Sequence, residues 1–474
     1  MAQGLSALDL GVLIAYLLGV VGMSFYLARK QTTGEDYFLA GRSMRGSTLA
    51  VSIMANQVSA VSLISAPAFV ALREGGGLRW LQYELALPIA MLLVIVLLLP
   101  VLRAVPGSSI YAFAEQRFGR PTRQALAASF LLSRGLSLGV VLYASAIVVS
   151  QALDWQVTTA LLGIGMFAVF YTSLGGLAAD IWSDVAQFII LWAGTLMAVL
   201  YVLFHEGWAV VQAIPAERSR ALILDSAGIT DGNTFAFWPM LVGGLFLYMS
   251  YYGCDQSQAQ RLLAARSDAD ARRALVINGL VRFPLVLTYC GLGLLLAGLL
   301  VVSPTFAAEM NGKAADTLVP TFMIGYLPSG FRGLLFAALM AAAMSSIDSA
   351  LNSLAAVTLE DVAGVAPERQ NVWLSRGVSL VWGLFAVASG LWFAGGEQTV
   401  LEMINQVGSA FYGPVLAVFV VGALTKRTTQ RGALMGLVAG LVGNLLLARL
   451  APGLSWLWWN PIGFAVAAVV AMGA

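Results

Sequence analysis

The sequence predicts an all-α polytopic membrane protein. Of its 474 residues, 59% are hydrophobic and only 11% are charged, whereas soluble domains carry about 25% charged residues. The mean hydropathy is +0.84, and apolar runs of about 20 residues, the length that a helix needs to cross a bilayer, recur along the chain. The net charge of +2 gives no indication of a nucleic-acid partner.

About 13 apolar runs divide the chain into predicted membrane spans. The first run is too long for a signal peptide and lacks a small-residue cleavage site, so we interpret it as a membrane helix. Connections between the spans are short, except over 205–235 and 303–332. The predicted spans lie near residues 7–28, 47–71, 80–104, 124–151, 156–175, 180–204, 236–258, 274–302, 333–357, 373–395, 399–424, 431–450 and 456–473.

Basic residues predict the orientation of these spans. The segments "ARKQTTGEDYFLAGRSMR", "EQRFGRPTR", "QRLLAARSDADARR" and "TKRTTQR" alternate with connections that are poor in Lys and Arg. Because cytoplasmic loops carry an excess of basic residues, we expect the N terminus outside and the C terminus inside a cell inner (plasma) membrane. The chain ends at Ala474, directly after the last run, and the sequence leaves open whether a cytoplasmic tail follows.

The reactive residue types argue against an enzyme and against a channel. Cys254 and Cys290 lie in or beside apolar runs, which predicts neither a disulfide framework nor a metal cluster. The single histidine, His205, lies in a polar connection, so Ser345 has no evident base that would make it a nucleophile. A channel would need a continuous polar stripe through several helices and a filter, and the sequence shows neither.

Two spans carry polar interruptions that a lipid-facing helix would not tolerate. The span 47–71 contains "MANQVSAVS", and the span 236–258 ends in "YMSYYGCDQSQ", where Gly253 and Asp255 weaken the helix. Interrupted helices at corresponding positions of two halves indicate an inverted-repeat transporter with its binding site at the breaks. The alternative is that these polar residues only join neighbouring helices.

Residues 340–353, "MAAAMSSIDSALNS", place oxygen atoms along one face of another span. Ser345, Asp348, Ser349 and Asn352 share a stripe at helical spacing, and Ser346 lies on its flank. A carboxylate inside a membrane needs a partner or an ion. Sodium is a hard cation that prefers oxygen ligands, so this helix and an unwound segment together predict a sodium site.

The chain resembles the sodium:solute symporter family, which includes the sodium/glucose, sodium/proline, sodium/sialic acid and sodium/iodide carriers. The resemblance is carried by "YFLAGRSM", "YTSLGGLAADIWSDVAQ", "GCDQSQAQRLLAARS", "PSGFRGLLFAALMAAAMSSIDSALNSLAAVTLEDV" and "GPVLAVFVVGALTKRTTQRGALMG". It implies the leucine-transporter (APC-type) fold with a 5+5 inverted repeat and sodium-driven alternating access. One transmembrane domain, 1–474, would then comprise an extra helix at 7–28, repeats at 47–204 and 236–424, and two C-terminal helices within 431–473.

The resemblance also implies one shared sodium site and leaves a second site open. The shared site would use backbone carbonyls and two adjacent hydroxyls, which fall on Ala55, Val58, Ala342, Ser345 and Ser346. A second site, present in some members, would fall on Asp184, Ser345, Asp348 and Ser349. Asp348 departs from the serine or threonine common at its position and could strengthen a cation site, carry a proton or pair with an arginine. For Asp184, a solvated helix-end aspartate remains the alternative.

The substrate positions of the family match this chain only in part. Sugar-transporting relatives contact the solute through a glutamate and a glutamine, which fall here on Glu84 and Gln406. Val61 and Ser62 stand where those relatives have an acidic residue and an amide. Arg282 stands where those relatives have a lysine, and its planar fork suits a carboxylate. We expect Arg282 to lean on Glu84 when no substrate is bound, because an unpaired guanidinium in a membrane is costly.

Further substrate contacts are expected near the breaks, from Gln57, Ser59, Ser62 and Asp255, with Tyr252 as a possible gate. Arg134 is a second membrane cation, about a turn from the position at which sialic-acid carriers place a carboxylate-binding arginine. Both arginines could instead snorkel or pair with acidic neighbours.

These observations predict a sodium-coupled symporter of a small polar organic solute, which could bear a carboxylate. A symporter of a neutral sugar, a polyol or an amino acid remains open. So does a proton-coupled carrier of the same fold, because Asp184 and Asp348 could titrate. Expected partners are the solute, sodium ions and the lipid bilayer, with a monomer as the functional unit.

Overall fold

The computed structural model describes residues 5–28, 39–104, 107, 109–172, 177–229, 232–365, 372–394 and 399–474. Within them, eight helices are long and apolar enough to cross a membrane, and a bent pair adds a ninth. Shorter apolar helices lie at three more of the predicted spans, and an interrupted helix lies at the span 236–258. Residues 173–175 and 395, at the ends of two predicted spans, lie outside the described residues.

The helices follow the predicted spans in order. Their bounds are Ala7–Ala28, Gly46–Gln57, Ala60–Ala71, Leu78–Ala104, Ala112–Phe118, Arg120–Leu153, Val157–Thr172, Leu177–Glu206, Trp208–Gln212, Gly244–Cys254, Gln256–Leu263, Asp268–Val302, Pro304–Met310, Leu318–Tyr326, Phe331–Val357, Val372–Phe393, Val400–Leu424, Gln430–Leu450 and Trp459–Gly473.

The first broken helix consists of Gly46–Gln57 and Ala60–Ala71, whose axes meet at 59°. The break falls on Val58 and Ser59, which leave helical geometry with ψ values of 83° and 177°. Residues that leave helical geometry release backbone carbonyls from the ladder of intrahelical hydrogen bonds. The interruption predicted within "MANQVSAVS" is therefore confirmed.

The second broken helix consists of Gly244–Cys254 and Gln256–Leu263. Asp255 forms the break, with φ −90° and ψ 125°, and its Oδ1 accepts a hydrogen bond from the Ser257 backbone N–H at 2.9 Å. This bond caps the second half of the helix. Gly253, which we expected to weaken the helix, stays helical. A Cβ at that position would lie 2.3 Å from the Leu98 Cδ1 atom, so this glycine serves close packing.

The helix Phe331–Val357, called the serine helix below, packs against the first broken helix and against Leu177–Glu206. Ala341, Ala342 and Ala343 are buried on it, because small side chains let helix backbones approach closely in a membrane.

The N-terminal helix also packs against the serine helix. Oδ1 of Asp9 accepts hydrogen bonds of 2.8 Å from the backbone N–H groups of Gly330 and Gly333. These are N–H groups at the start of the serine helix, which lack intrahelical partners. Asp9 therefore caps a helix that begins more than 320 residues later in the chain.

Candidate functional site

A cavity lies between the two broken helices, beside the break of the first. The cavity has a volume of about 110 Å³, well above the roughly 10–15 Å³ that one water molecule needs. The serine helix and the helices that carry Glu84, Arg134, Arg282 and Asn405 complete its wall. The cavity is therefore of a size that suits a small solute, and membrane transporters hold their solutes at such breaks.

Each nitrogen of the Arg282 guanidinium has a protein group within hydrogen-bond distance. Its Nε lies 2.9 Å from the Glu84 Oε2 atom, and its Nη2 lies 3.4 Å from Oε1. The hydroxyls of Tyr248 and Tyr252 lie 3.5 and 3.4 Å from its Nη atoms, and Tyr248 also donates to Glu84 at 2.9 Å. The pairing of Arg282 with Glu84, expected from the sequence, is confirmed.

Arg134 is buried at the cavity wall with weaker partners. Its Nη1 lies 3.9 Å from the Asp255 Oδ2 atom, which is beyond hydrogen-bond distance. Its Cζ lies 5.8 Å from the centroid of the Tyr251 ring. Among the described residues, neither the Nε of Arg134 nor the Oδ2 of Asp255 has a hydrogen-bond partner. Arg134 therefore keeps a donor for a ligand, whereas Arg282 is committed to Glu84.

Polar side chains at the first break line the same cavity. Gln57, Ser59 and Ser62 do so as expected. Asn56, to which the sequence analysis gave no substrate role, joins them. Neither Nδ2 nor Oδ1 of Asn56 has a hydrogen-bond partner in the described part of the chain, and the same holds for Oε1 of Gln57.

Three other expected substrate residues lie elsewhere. Asn405 lines the cavity in place of its neighbour Gln406, because successive residues of a helix point about 100° apart. Asp255 caps the second broken helix and borders a smaller adjacent pocket. Tyr252 lies behind the wall against Arg282, whereas six other aromatic residues line the cavity: Trp80, Tyr83, Tyr248, Tyr251, Tyr289 and Tyr412.

The serine helix meets the first break at Ser346. The Ser346 hydroxyl donates to the backbone carbonyl of Asn56 at 3.2 Å. Ala55, Val58 and Ala342, whose carbonyls are expected to bind sodium, are all buried and lie within about one turn of Asn56 or Ser346 along the chain. Hydroxyl and carbonyl oxygens are ligands that a hard cation prefers, so the groups present here fit a sodium ion.

The second expected sodium position contains a buried ionic cluster. Asp184 accepts hydrogen bonds from Ser345, from Ser52 at 2.6 Å and from the Nη2 atom of Arg261 at 2.8 Å. The same Nη2 atom lies 2.9 Å from an oxygen of Asp180. Two carboxylates thus share one guanidinium, and Asp184 is a buried partner rather than a solvated helix end.

Ser349 completes this cluster, which we call the Arg261 cluster: Asp180, Asp184, Arg261, Ser52, Ser345 and Ser349. Ser349 donates to Asp180 at 2.8 Å and accepts from Arg261 at 2.7 Å. Asp348 is buried on the same helix, but its carboxylate is not part of these hydrogen bonds. The sequence analysis missed Asp180 and Arg261. It counted Arg261 among basic loop residues, yet Arg261 is only 1% exposed.

Beyond the cavity, the second half of the first broken helix is fastened to later segments. The Ser65 hydroxyl donates to the Asp316 carboxylate, which also accepts from the Val400 backbone N–H at 2.9 Å. Nearby, the Nε of Arg73 bonds both carboxylate oxygens of Glu402 at 3.0 and 3.1 Å. Ser65 follows the cavity residues of the break along the chain. These contacts therefore close one end of the cavity, which we call the Asp316 end.

The first half of the same helix is fastened at the opposite end. The Gly46 backbone N–H donates to Asp270 at 2.8 Å, and Ser52 belongs to the Arg261 cluster. Arg103 pairs with Asp268 at 2.5 Å. Contacts between early and late helices therefore bridge both ends of the cavity. Alternating access requires one set to open while the other stays closed.

Comparisons with known proteins agree with this arrangement. The chain is 29% identical to the human sodium/iodide cotransporter, over 93% of this chain and 70% of that protein. It is 29% identical to human sodium-coupled monocarboxylate transporter 1, over 88% and 68%. It is 26% identical to the sodium/sialic acid symporter NanT of Aliivibrio fischeri, over 99% and 93%.

A solved structure shows the same fold. The substrate-bound outward-open state of a Na⁺-coupled sialic acid symporter superimposes with a TM-score of 0.85 at 22% identity, over 98% of this chain and 97% of that chain. The expected leucine-transporter fold with its inverted repeat is thereby confirmed. The model of the sodium:solute symporter family matches residues 37–440. The chain therefore belongs to the sodium:solute symporter family and is a sodium-coupled membrane transporter, not an enzyme.

Proposed function

We propose that this symporter carries a small organic solute with a carboxylate, and that Arg134 binds this carboxylate. The observation that carries the proposal is the unpartnered Nε of the buried Arg134 guanidinium. A guanidinium presents parallel donors that match the two oxygens of a carboxylate. The proposal moves the carboxylate contact from Arg282, where the sequence suggested it, because Glu84 already occupies the fork of Arg282.

The relatives support an anionic solute. NanT is named for sialic acid, which is a carboxylic acid, and another relative is named for monocarboxylates. The sodium/iodide cotransporter is named for an inorganic anion. A cation in the cavity wall with a free donor suits each of these solutes, and the polar side chains around it favour an organic one.

For sodium, we propose the shared site at the Ser346 contact, with the hydroxyls of Ser345 and Ser346 and the carbonyls of Ala55, Val58 and Ala342. The second ion would bind at the Arg261 cluster, through Asp184 and Ser345, with Ser349 and Asp348 nearby on the same helix. Two carboxylates and one guanidinium leave this cluster with an excess negative charge, which a cation would balance.

The repeats would cover 47–204 and 236–424, with 7–28 and the two helices within 431–473 outside them. From the distribution of basic residues, we propose that the Asp316 end faces the outside of the cell and that the Arg261 cluster lies towards the cytoplasmic side of a plasma membrane. One chain supplies the residues of the cavity wall described above. We propose a monomer as the transporting unit.

Sodium-driven uptake into proteoliposomes tests the substrate. The panel is propionate, L-lactate, N-acetylneuraminate, iodide and glucose, each with and without a sodium gradient. Uptake of an organic acid is expected. Arg134→Lys should lower its affinity at least about tenfold, because it loses the fork and keeps the charge, and Arg134→Gln should nearly abolish uptake.

Arg282→Lys is the matched control, since it retains a charge opposite Glu84, and it should keep solute affinity within a few-fold. The reverse pattern, in which only Arg282→Lys loses affinity for the solute, would show that Arg282 rather than Arg134 binds the carboxylate. Sodium-driven uptake of glucose alone would refute an anionic solute.

A further inference from the structure

Asn56 lies between the cavity and the proposed sodium site. Its side chain lines the cavity and is only 2% exposed. Its backbone carbonyl accepts the hydrogen bond from Ser346. Ala55 and Val58, the proposed carbonyl ligands of sodium, flank it in the chain. One residue therefore faces the solute with its side chain and the ion with its backbone.

The Asn56 side chain is a buried amide with both of its polar atoms unpaired among the described residues. A buried donor or acceptor without a partner is costly, so an occupied cavity is expected to supply one. The amide offers two N–H donors and a carbonyl acceptor. A hydroxyl, which both donates and accepts, can satisfy both atoms, whereas a carboxylate can only accept.

Asn56 and Arg134 line the same cavity from different helices. A solute that fills the cavity would contact both walls. Ser137 also lines it, one helical turn from Arg134, and makes that wall more polar. The cavity thus combines a cation that suits a carboxylate with an amide that suits a neutral polar group.

We infer that Asn56 determines specificity by binding a hydroxyl of the solute whose carboxylate Arg134 binds, which makes a hydroxy acid the preferred substrate class. This inference rests on the proposed function. It also gives a route for coupling, because a solute that holds the Asn56 side chain fixes the backbone from which Ala55 and Val58 present their carbonyls. Coupling between two ligands is reciprocal. Sodium should therefore tighten binding of the hydroxy acid as much as the hydroxy acid tightens binding of sodium.

The test compares acids that differ only in the hydroxyl: L-lactate with propionate, and mandelate with phenylacetate. Binding is measured by thermal shift of the purified transporter and by uptake into proteoliposomes, at several sodium concentrations. The parent should prefer the hydroxy acid of at least one pair by about tenfold, the order expected for one buried hydrogen bond. Asn56→Ala should reduce this preference to within about twofold, because it weakens binding of the hydroxy acid more than binding of the deoxy acid.

Asn56→Ser, which keeps a donor and an acceptor, should restore part of the preference, which a purely structural role would not predict. Asn278→Ala is the matched control, because Asn278 is also a buried amide and does not line the cavity. Sodium should tighten hydroxy-acid binding less in Asn56→Ala than in the parent.

Three results would overturn the inference. If Asn56→Ala lost affinity for both acids of a pair equally, Asn56 would have only a structural role. A parent that binds both acids of each pair equally, with Arg134→Lys still weakening them, would refute the hydroxyl contact and spare the carboxylate site. Binding of no organic acid by the parent would refute the proposed function together with this inference.

Discussion

Asp316 should make closure of the Asp316 end depend on pH. Burial raises the pKa of its carboxyl from 3.8 to about 6, and the negative charge of Glu402 adds to the rise. Hydrogen bonds from Ser65 and from the Val400 backbone act in the opposite direction. The Nε of Arg73 contacts both carboxylate oxygens of Glu402.

Proton linkage gives the direction in which pH changes the closing equilibrium of the Asp316 end. Where Asp316 is solvated, in an opened end, its pKa is close to 3.8, and where it is buried in the closed end its pKa is about 6. Closure therefore takes up a proton between these values. The resulting stabilisation of the closed end is complete below pH 3.8 and is lost as pH rises through 6. A shift of about two pKa units corresponds to at most roughly 3 kcal/mol, or about 100-fold in the closing equilibrium.

The assay measures access to the cavity from this end. A cysteine at Ala66, which lines the cavity, is labelled with a membrane-impermeant maleimide in a background that lacks Cys254 and Cys290. Asp316→Asn is neutral at every pH and keeps an acceptor, so its labelling rate reports the pH dependence of the reagent alone. The labelling rate of the protein with Asp316, divided by the labelling rate of Asp316→Asn, should rise at least about tenfold between pH 4.5 and 7.5. A ratio that stays constant over this range would refute the reasoning.

Two further predictions concern ions. Replacing Ser345 and Ser346 by Ala removes both proposed hydroxyl ligands and should raise the sodium concentration for half-maximal uptake at least about tenfold; unchanged sodium dependence of a folded double variant would reject the site. Arg261→Met leaves Asp180 and Asp184 buried without a guanidinium, which should destabilise the protein by about 3–5 kcal/mol. Sodium should restore part of this loss if the cluster binds the ion. Thermal unfolding with and without sodium measures both effects, and an unchanged Tm would show that the guanidinium does not stabilise the carboxylates.

The sequence predicted those features that depend on local pattern. The break at Val58 and Ser59 follows from polar residues within an apolar run, and the run lengths placed the helices. The pairing of Arg282 with Glu84 was also expected, because a membrane guanidinium needs an acidic partner and Glu84 was already placed at the binding site.

Other features depend on packing that the sequence does not display. Arg261 reads as one of several loop arginines, and it is buried only because Asp180 and Asp184, about 80 residues earlier, meet it across helices. Asn405 lines the cavity where Gln406 was expected. A prediction that is wrong by one position along a helix selects a side chain that points away from the cavity. From the sequence, Gly253 is expected to break the helix. In the structure, it leaves room for Leu98, which packs against it.

The cap that Asp9 provides for the serine helix has a consequence for biosynthesis. Asp9 leaves the ribosome well before Gly330, which is made 321 residues later. At about 5–20 residues per second, the N-terminal helix waits roughly 15 to 60 seconds before the backbone N–H groups that its carboxylate binds exist. During that interval Ser6, whose hydroxyl lies 2.7 Å from Asp9, is the partner available nearby in the nascent chain. The helix Ala7–Ala28 therefore settles into its final place only after the start of the serine helix has been synthesised.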